Sequence, residues 1–200
     1  MSTSLIYRSP AVYEAVMLAL YGRFYHARSR TIAALVPDGA QVLELCCGPA
    51  NLYRRHLKQK SVSYHGLDIN PGFIKHLIKL GATGQVADLQ LLQTLPPADY
   101  VIMQASLYHF LPDPSSIVDR MLNAARKQVI IAEPIRNLSS SGIPILSKLA
   151  RRHTDPGSGA HQQRFTPDSL DQFFSRYANK VARSFLIPGG REKVYVLATS

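Results

Sequence analysis

The chain has 200 residues, enough for one domain that buries its own core without disulfide or metal staples. Hydrophobic residues at 46% against charged residues at 18% exclude a disordered chain, and no apolar run reaches the ~18–20 residues of a membrane span. With 23 Lys+Arg against 13 Asp+Glu the net charge is +10, which favours an anionic partner: nucleic acid, an anionic surface or an acidic substrate.

Residues 1–40 read as a helical cap. Tyr13, Val16, Met17, Leu20, Tyr21 and Phe24 recur at helical spacing, and Pro37-Asp38-Gly39 stops a second helical stretch. A short apolar strand follows from Val42 to Leu45, then a turn with Gly48-Pro49 and a helix through Leu57. Val62 to Leu67 reads as the second strand, ending at Asp68, and Pro71 opens a helix over Phe73 to Leu80. Gln85 to Ala87 is a third, short strand ending at Asp88, and Tyr100 to Met103 is a fourth. Asp113-Pro114 caps a helix through Ala125 whose buried stripe is Ile117, Val118, Met121 and Leu122. Val129 to Ala132 is the fifth strand, ending at Glu133-Pro134.

Strands alternating with helices imply parallel crossovers and an α/β sheet. Val181 to Ile187 and Val194 to Ala198, around Pro188-Gly189-Gly190-Arg191, read as an antiparallel hairpin that closes it. Residues 136–165 break the rhythm as a basic insertion, with one amphipathic helix expected from Ile143 to Arg152. The expected organisation is one domain over 1–200: the cap 1–40, a core 41–135, the insertion 136–165, and a helix with the hairpin over 166–200. The start, Met1 to Arg8, has neither the basic nor the apolar region of a secretory signal. The only cysteines, Cys46 and Cys47, are adjacent. A cytoplasmic address is the expectation, and a four-cysteine zinc site is excluded.

Chemistry concentrates in Val42 to Leu52. A strand carrying Glu44 leads into a turn of small residues, Cys46-Cys47-Gly48-Pro49-Ala50, and then a helix. Small side chains let backbone amides approach a ligand closely. Twenty residues past Gly48, Asp68 ends the second strand where a carboxylate grips ribose hydroxyls in a dinucleotide-type fold. Ala87-Asp88-Leu89 ends the third and suits an adenine amino group. Three carboxylates along one sheet edge make a nucleoside site and repel a pyrophosphate.

With VLELCCGPA, HGLDINPGF, VADLQ with YVIMQASLYHF, and VIIAEP in order, the chain resembles the class I S-adenosylmethionine-dependent methyltransferases, in particular the small-molecule branch with the ubiquinone and menaquinone enzymes. The resemblance covers about Ile32 to Pro134. It implies a Rossmann-like, seven-stranded, mostly parallel sheet with an antiparallel last strand and helices on both faces. One departure is that Cys46 and Ala50 stand where the family has glycines, so a positive φ there would be strained.

The resemblance also implies site roles. Glu44 faces the methionine amino group, with Cys46, Gly48, Pro49 and Ala50 lining the turn. Asp68 takes the ribose hydroxyls, Ile69, Asn70 and Phe73 flank the nucleoside, and Ala87, Asp88 and Leu89 fix the adenine edge. Gln104 and Ser106 complete the pocket, and Tyr21 covers it or meets the cofactor carboxylate. His109 is the candidate catalytic residue, as a general base or acceptor contact, its alternative being a helix-edge histidine. Tyr108, Arg136, Arg151 and Arg152 are candidate substrate residues.

The implied cofactor is S-adenosyl-L-methionine, leaving as S-adenosyl-L-homocysteine, with no metal. His153, Asp155 and His161 lack metal-site spacing, and Cys46-Cys47 read as packing residues. The expected acceptor is a small anionic or hydrophobic-anionic metabolite. Rival readings are an RNA-modifying methyltransferase, which the charge favours without any RNA-binding module, a non-catalytic protein of the same fold, and a nicotinamide dehydrogenase. Contact with an anionic membrane surface and the oligomeric state stay open.

Overall fold

The computed structural model describes residues 26–135 and 164–199. Seven strands, β1 (Gln41–Leu45), β2 (Ser63–Asp68), β3 (Thr83–Val86), β4 (Ala98–Gln104), β5 (Ala125–Pro134), β6 (Val181–Leu186) and β7 (Glu192–Ala198), form one sheet in the order β3-β2-β1-β4-β5-β7-β6. Strands β1 to β5 pair in parallel, and β7 runs antiparallel to both β5 and β6. This is the class I methyltransferase fold that the motif order implies.

The central strands are apolar at nearly every position because both faces of the sheet are covered. Along β4, Val101 and Met103 pack into one core while Tyr100 and Ile102 pack into the other. Helices α3 (Ser115–Ala124) and α4 (Pro167–Ser175) cover the first face with Ile117, Met121, Leu170 and Phe174. On the second face lie α1 (Ala27–Ala33), a helical segment through Tyr53–Leu57, and α2 (Pro71–Lys79), which contribute Ile32, Leu57, Ile74 and Leu77. Each fully buried Leu or Ile contributes about 1.5–3 kcal/mol.

Asn70 caps α2 by accepting the Gly72 N–H at 2.8 Å, with Pro71 in the first turn. A Cβ at Gly66 would lie 2.5 Å from Leu77 Cδ2 and 2.8 Å from Cys47 Sγ, so this glycine lets α2 and the first turn close onto β2.

Several expectations shift: β5 begins at Ala125, the residue expected to end the preceding helix, and Leu122 on that helix is only partly buried. The third strand is Thr83–Val86, two residues early, because its pairing with β2 runs from His65–Thr83 to Asp68–Val86 and leaves Ala87 and Asp88 in the following turn. The helix after the first turn is π-helical over Tyr53–Leu57 and continues as a 3-10 turn over Lys58–Lys60. The expected helices before residue 26 and over Ile143–Arg152, together with Tyr21, Arg136, Arg151, Arg152, His153, Asp155 and His161, lie outside the described residues. Among the described residues no helix is long and apolar enough to cross a membrane.

Register brings one set of strand ends together. Glu44 pairs with Gly66, Leu45 with Met103, and Gln104 with Ala132. The reversed β7 starts at the same edge, with Glu192 opposite Pro134.

Candidate functional site

After β1 the backbone enters the left-handed region at three alternate residues: Cys46 (φ 52°), Gly48 (φ 53°) and Ala50 (φ 57°). The strain expected at positions 46 and 50 is therefore present, since a Cβ disfavours this region. Neighbouring contacts hold the turn in place. The Cys47 N–H donates to Leu67 O at 3.1 Å, the Ala50 N–H donates to Cys47 O at 3.0 Å, and the Ala50 methyl is fully buried. A Cβ on Gly48 would meet nothing within 4 Å, so the crest of the turn faces open space.

Glu44 is buried beneath this turn. Tyr64 Oη from β2 and Gln104 Nε2 from β4 both donate to its carboxylate. Burial pushes the Glu44 carboxyl up to about 7, against the pull of those two hydrogen bonds and of Arg28. Asp68, also buried, accepts the Gly48 N–H on Oδ2 and the Asn70 N–H on Oδ1, both at 2.8 Å. Burial raises its carboxyl and the two amides resist. A carboxylate oxygen accepts two hydrogen bonds, so each Asp68 oxygen keeps capacity for a ligand hydroxyl.

A cavity of about 90 Å³ opens over Glu44. It gathers six expected residues, Glu44, Cys46, Gly48, Pro49, Gln104 and Ser106. His26, Arg28, Ser29, Asn51 and Ala105 also line it and were not anticipated. Ala105 is left-handed (φ 49°), and its N–H donates to Ala132 O at 2.7 Å. Arg28 reaches in from α1, and its Nη1 pairs with Glu192 Oε1 at 2.7 Å. Nothing local to α1 marks Arg28, because its role depends on strands far along the chain.

The remaining expected residues lie outside this cavity. Ile69 is 61% exposed, Phe73 is buried, and Ala87 and Leu89 belong to the core. Asp88 Oδ1 accepts the Gln90 N–H at 2.9 Å and shapes the turn after β3. Tyr108 and His109 sit on the 3-10 turn Leu107–Phe110, their ring centroids 4.0 Å apart, and the His109 N–H donates to Ser106 O at 3.1 Å. The Arg164 guanidinium lies 3.5 Å over the Tyr108 ring. Beyond this turn is a second cavity of about 590 Å³, lined in part by Leu111, Pro114, Arg164, Phe173 and Arg176.

One further acid was missed as a site residue. Glu133, at the end of β5, is 1% exposed, and its Oε2 accepts the Leu107 N–H at 3.0 Å. Burial pushes the Cys46 thiol up to about 12 and raises Cys47 as well, which suits packing rather than redox work. Among the described residues no group of three His, Cys, Asp or Glu side chains is arranged to hold a metal ion.

The family model for the methionine biosynthesis protein MetW matches residues 26–140, more than half of the chain. The chain belongs to the MetW family. No curated protein matches this MetW-family chain in sequence.

Solved structures share its fold. Magnesium protoporphyrin IX methyltransferase from Synechocystis PCC 6803, crystallised with S-adenosylhomocysteine, aligns with TM-score 0.64 at 16% identity over 96% of this chain and 95% of that one. A chain of the complex between the Haloferax volcanii Trm112 methyltransferase activator and a methyltransferase aligns with TM-score 0.71 at 14% identity over 100% and 99%. A TehB-like SAM-dependent methyltransferase from Corynebacterium glutamicum aligns with TM-score 0.58 at 17% identity over 94% and 95%.

Proposed function

We propose that this MetW-family chain is a methyltransferase that uses S-adenosyl-L-methionine, releases S-adenosyl-L-homocysteine, and methylates a small, anionic acceptor in the cytoplasm. The observation that carries the reading is the pairing of two buried acids around one open turn. Glu44 lies beneath the cavity, Asp68 is clamped by two amides, and among the described residues nothing beyond its chain neighbours lies within 4 Å of a Cβ built on the Gly48 crest.

The residues present fit that cofactor. Glu44 offers a carboxyl to an ammonium, and Arg28, already paired with Glu192 through Nη1, would also face a ligand carboxylate. Asp68 would take ribose hydroxyls, Ile69 would flank the adenine, and Asp88 and Leu89 would meet its edge. Bound there, the cofactor supplies a methyl group on a sulfonium, open to in-line displacement. The chain's own work is then alignment and water exclusion, which suit a reaction needing little covalent help. Gln104 and Ser106, which line the same cavity, would close its methyl-donor end. His109, one turn beyond, would orient the acceptor or take its proton. Arg164 and Arg176 at the larger cavity beside that turn favour an acceptor bearing a carboxylate or phosphate.

Calorimetric titration with S-adenosyl-L-methionine, S-adenosyl-L-homocysteine and NAD tests the reading, with Asp68→Ala as control. Micromolar binding of the first two, lost in the variant, supports it. Binding of NAD alone, or of none of the three, rejects it.

A further inference from the structure

Glu133 stands behind the small cavity. The turn 105–107 follows β4, and its Ala105 N–H is fastened to the carbonyl of Ala132, the residue before Glu133. The Glu133 carboxyl holds the other end of the same turn through the Leu107 N–H. Ala105 and Ser106 line the cavity, so one layer of chain separates it from Glu133. Oε1 of Glu133 has no hydrogen bond of good geometry among the described residues, although the Tyr108 backbone also bears on this carboxyl and favours its ionised form. A buried oxygen left in this way is unfavourable unless another function retains it.

The charges around it are unbalanced. The buried carboxyls among the described residues are Glu44, Asp68, Glu133 and Glu192, and no Lys, Arg or His among those residues is buried to the same degree. Among the described residues the groups that bear on Glu133 are Arg28 from α1, Glu192 from β7, Cys46 from the turn after β1, and the Leu107 and Tyr108 backbone. Arg28 is committed to Glu192 and also bears on Glu44. The Cys46 thiol stays neutral. Carboxyls therefore outnumber the Arg28 guanidinium around the cavity, and such a wall favours a cation.

We infer that Glu133 sets the charge selectivity of the cofactor site, favouring a sulfonium in the adjoining cavity over the thioether left once the methyl group has gone. The inference rests on the methyltransferase reading above. The two ligands present the same ammonium, carboxylate and nucleoside, and differ in the sulfonium charge and its methyl group. Glu44 meets the common ammonium, so it does not tell them apart. Burial pushes the Glu133 carboxyl up to about 8, so in the free protein at neutral pH it is mostly protonated. A cation in the cavity stabilises the ionised form, and the proton passes to solvent. When the positive charge leaves with the methyl group, Glu133 takes a proton back and the product loses an attraction that the donor had.

The test uses the whole chain and needs no acceptor. S-Adenosyl-L-methionine and S-adenosyl-L-homocysteine are titrated by calorimetry near about pH 8, each in two buffers of different ionisation enthalpy, to count protons released. More protons are expected to leave with the sulfonium than with the thioether. In Glu133→Gln that difference disappears and sulfonium affinity falls on the order of tenfold, while thioether affinity holds. Glutamine keeps an oxygen for the Leu107 N–H, and a thermal melt checks that the fold is retained. Equal proton release for both ligands in the unmodified chain overturns the inference and leaves the cofactor assignment standing, as does an unchanged affinity ratio in Glu133→Gln. Failure of both ligands to bind the unmodified chain overturns the two together.

Discussion

Gly48 donates its backbone N–H to Asp68 Oδ2 at 2.8 Å, which fastens the crest of the first turn to the tip of the second strand. With Oδ1 held by the Asn70 N–H, the carboxylate is oriented before any ligand arrives. Preorganisation of this kind lowers the cost of binding. Asp68→Asn turns one acceptor into an NH₂ that must face a backbone N–H. A drop in S-adenosyl-ligand affinity of roughly tenfold to a hundredfold is expected, with a lower melting temperature. Calorimetry and a thermal scan read both, and unchanged affinity would remove Asp68 from the site.

His109 lies beyond the cavity on the 107–110 turn, so His109→Ala should leave cofactor affinity within about twofold. Methyl transfer to an accepted substrate should fall by roughly 10²–10⁴ if the imidazole moves a proton. Production of S-adenosyl-L-homocysteine across a panel of carboxylated and phosphorylated acceptors measures it. Full turnover in the variant would make His109 a structural residue.

Ala50 combines a left-handed backbone with a fully buried methyl group. Ala50→Gly relieves backbone strain of about 1–2 kcal/mol and gives up about 0.8 kcal/mol of burial, along with some chain entropy. These nearly cancel, so its melting temperature should match that of the parent chain. Ala50→Val adds β-branching at a positive φ and should destabilise markedly. Denaturant unfolding of both variants checks the contrast.

Acidity should govern the stability of the free protein in an unusual direction. Burial raises Glu44 from the ordinary 4.5 to about 7 and Glu133 to about 8, so the folded chain keeps protons that the unfolded chain releases. Their contribution is complete below the unfolded value and is lost as pH rises through the folded ones. Asp99, held down by the Gln41 N–H, works the other way and matters only on strong acidification. Because His56 and His65, held below their ordinary 6.5 chiefly by burial, pull the other way on the acid side, the melting temperature should fall by several degrees between about pH 6.5 and pH 9. A Glu44→Gln/Glu133→Gln double variant should flatten the profile.

The central strands were legible because burial on both faces leaves unbroken apolar runs, as in Tyr100 to Met103 and Val129 to Ala132. Strand β3 was displaced because Thr83–Val86 contains a single large apolar residue and sits at an edge with one partner. Glu44 and Asp68 could be found because each is an acid at a strand end beside a small or capped turn. Arg28 and Tyr64 could not, since their roles come from neighbours across the sheet, and Glu133, though also an acid at a strand end, is followed by Pro134 and not by a turn of small residues. The Tyr64 hydroxyl meets Glu44 only through strand register, and nothing around Arg28 announces a partner 164 residues away.

The Arg28–Glu192 pair has a consequence for synthesis. On the ribosome, the amino-terminal side of the ligand cavity emerges early, yet its guanidinium meets its carboxylate only after residue 192 has left the exit tunnel. Strand β6 emerges before that and joins the sheet only through β7. A nascent chain can thus build most of the parallel sheet while its ligand cavity is still unfinished. The Arg28 side of the cavity would be fixed late and abruptly, with β7, instead of step by step as the chain lengthens.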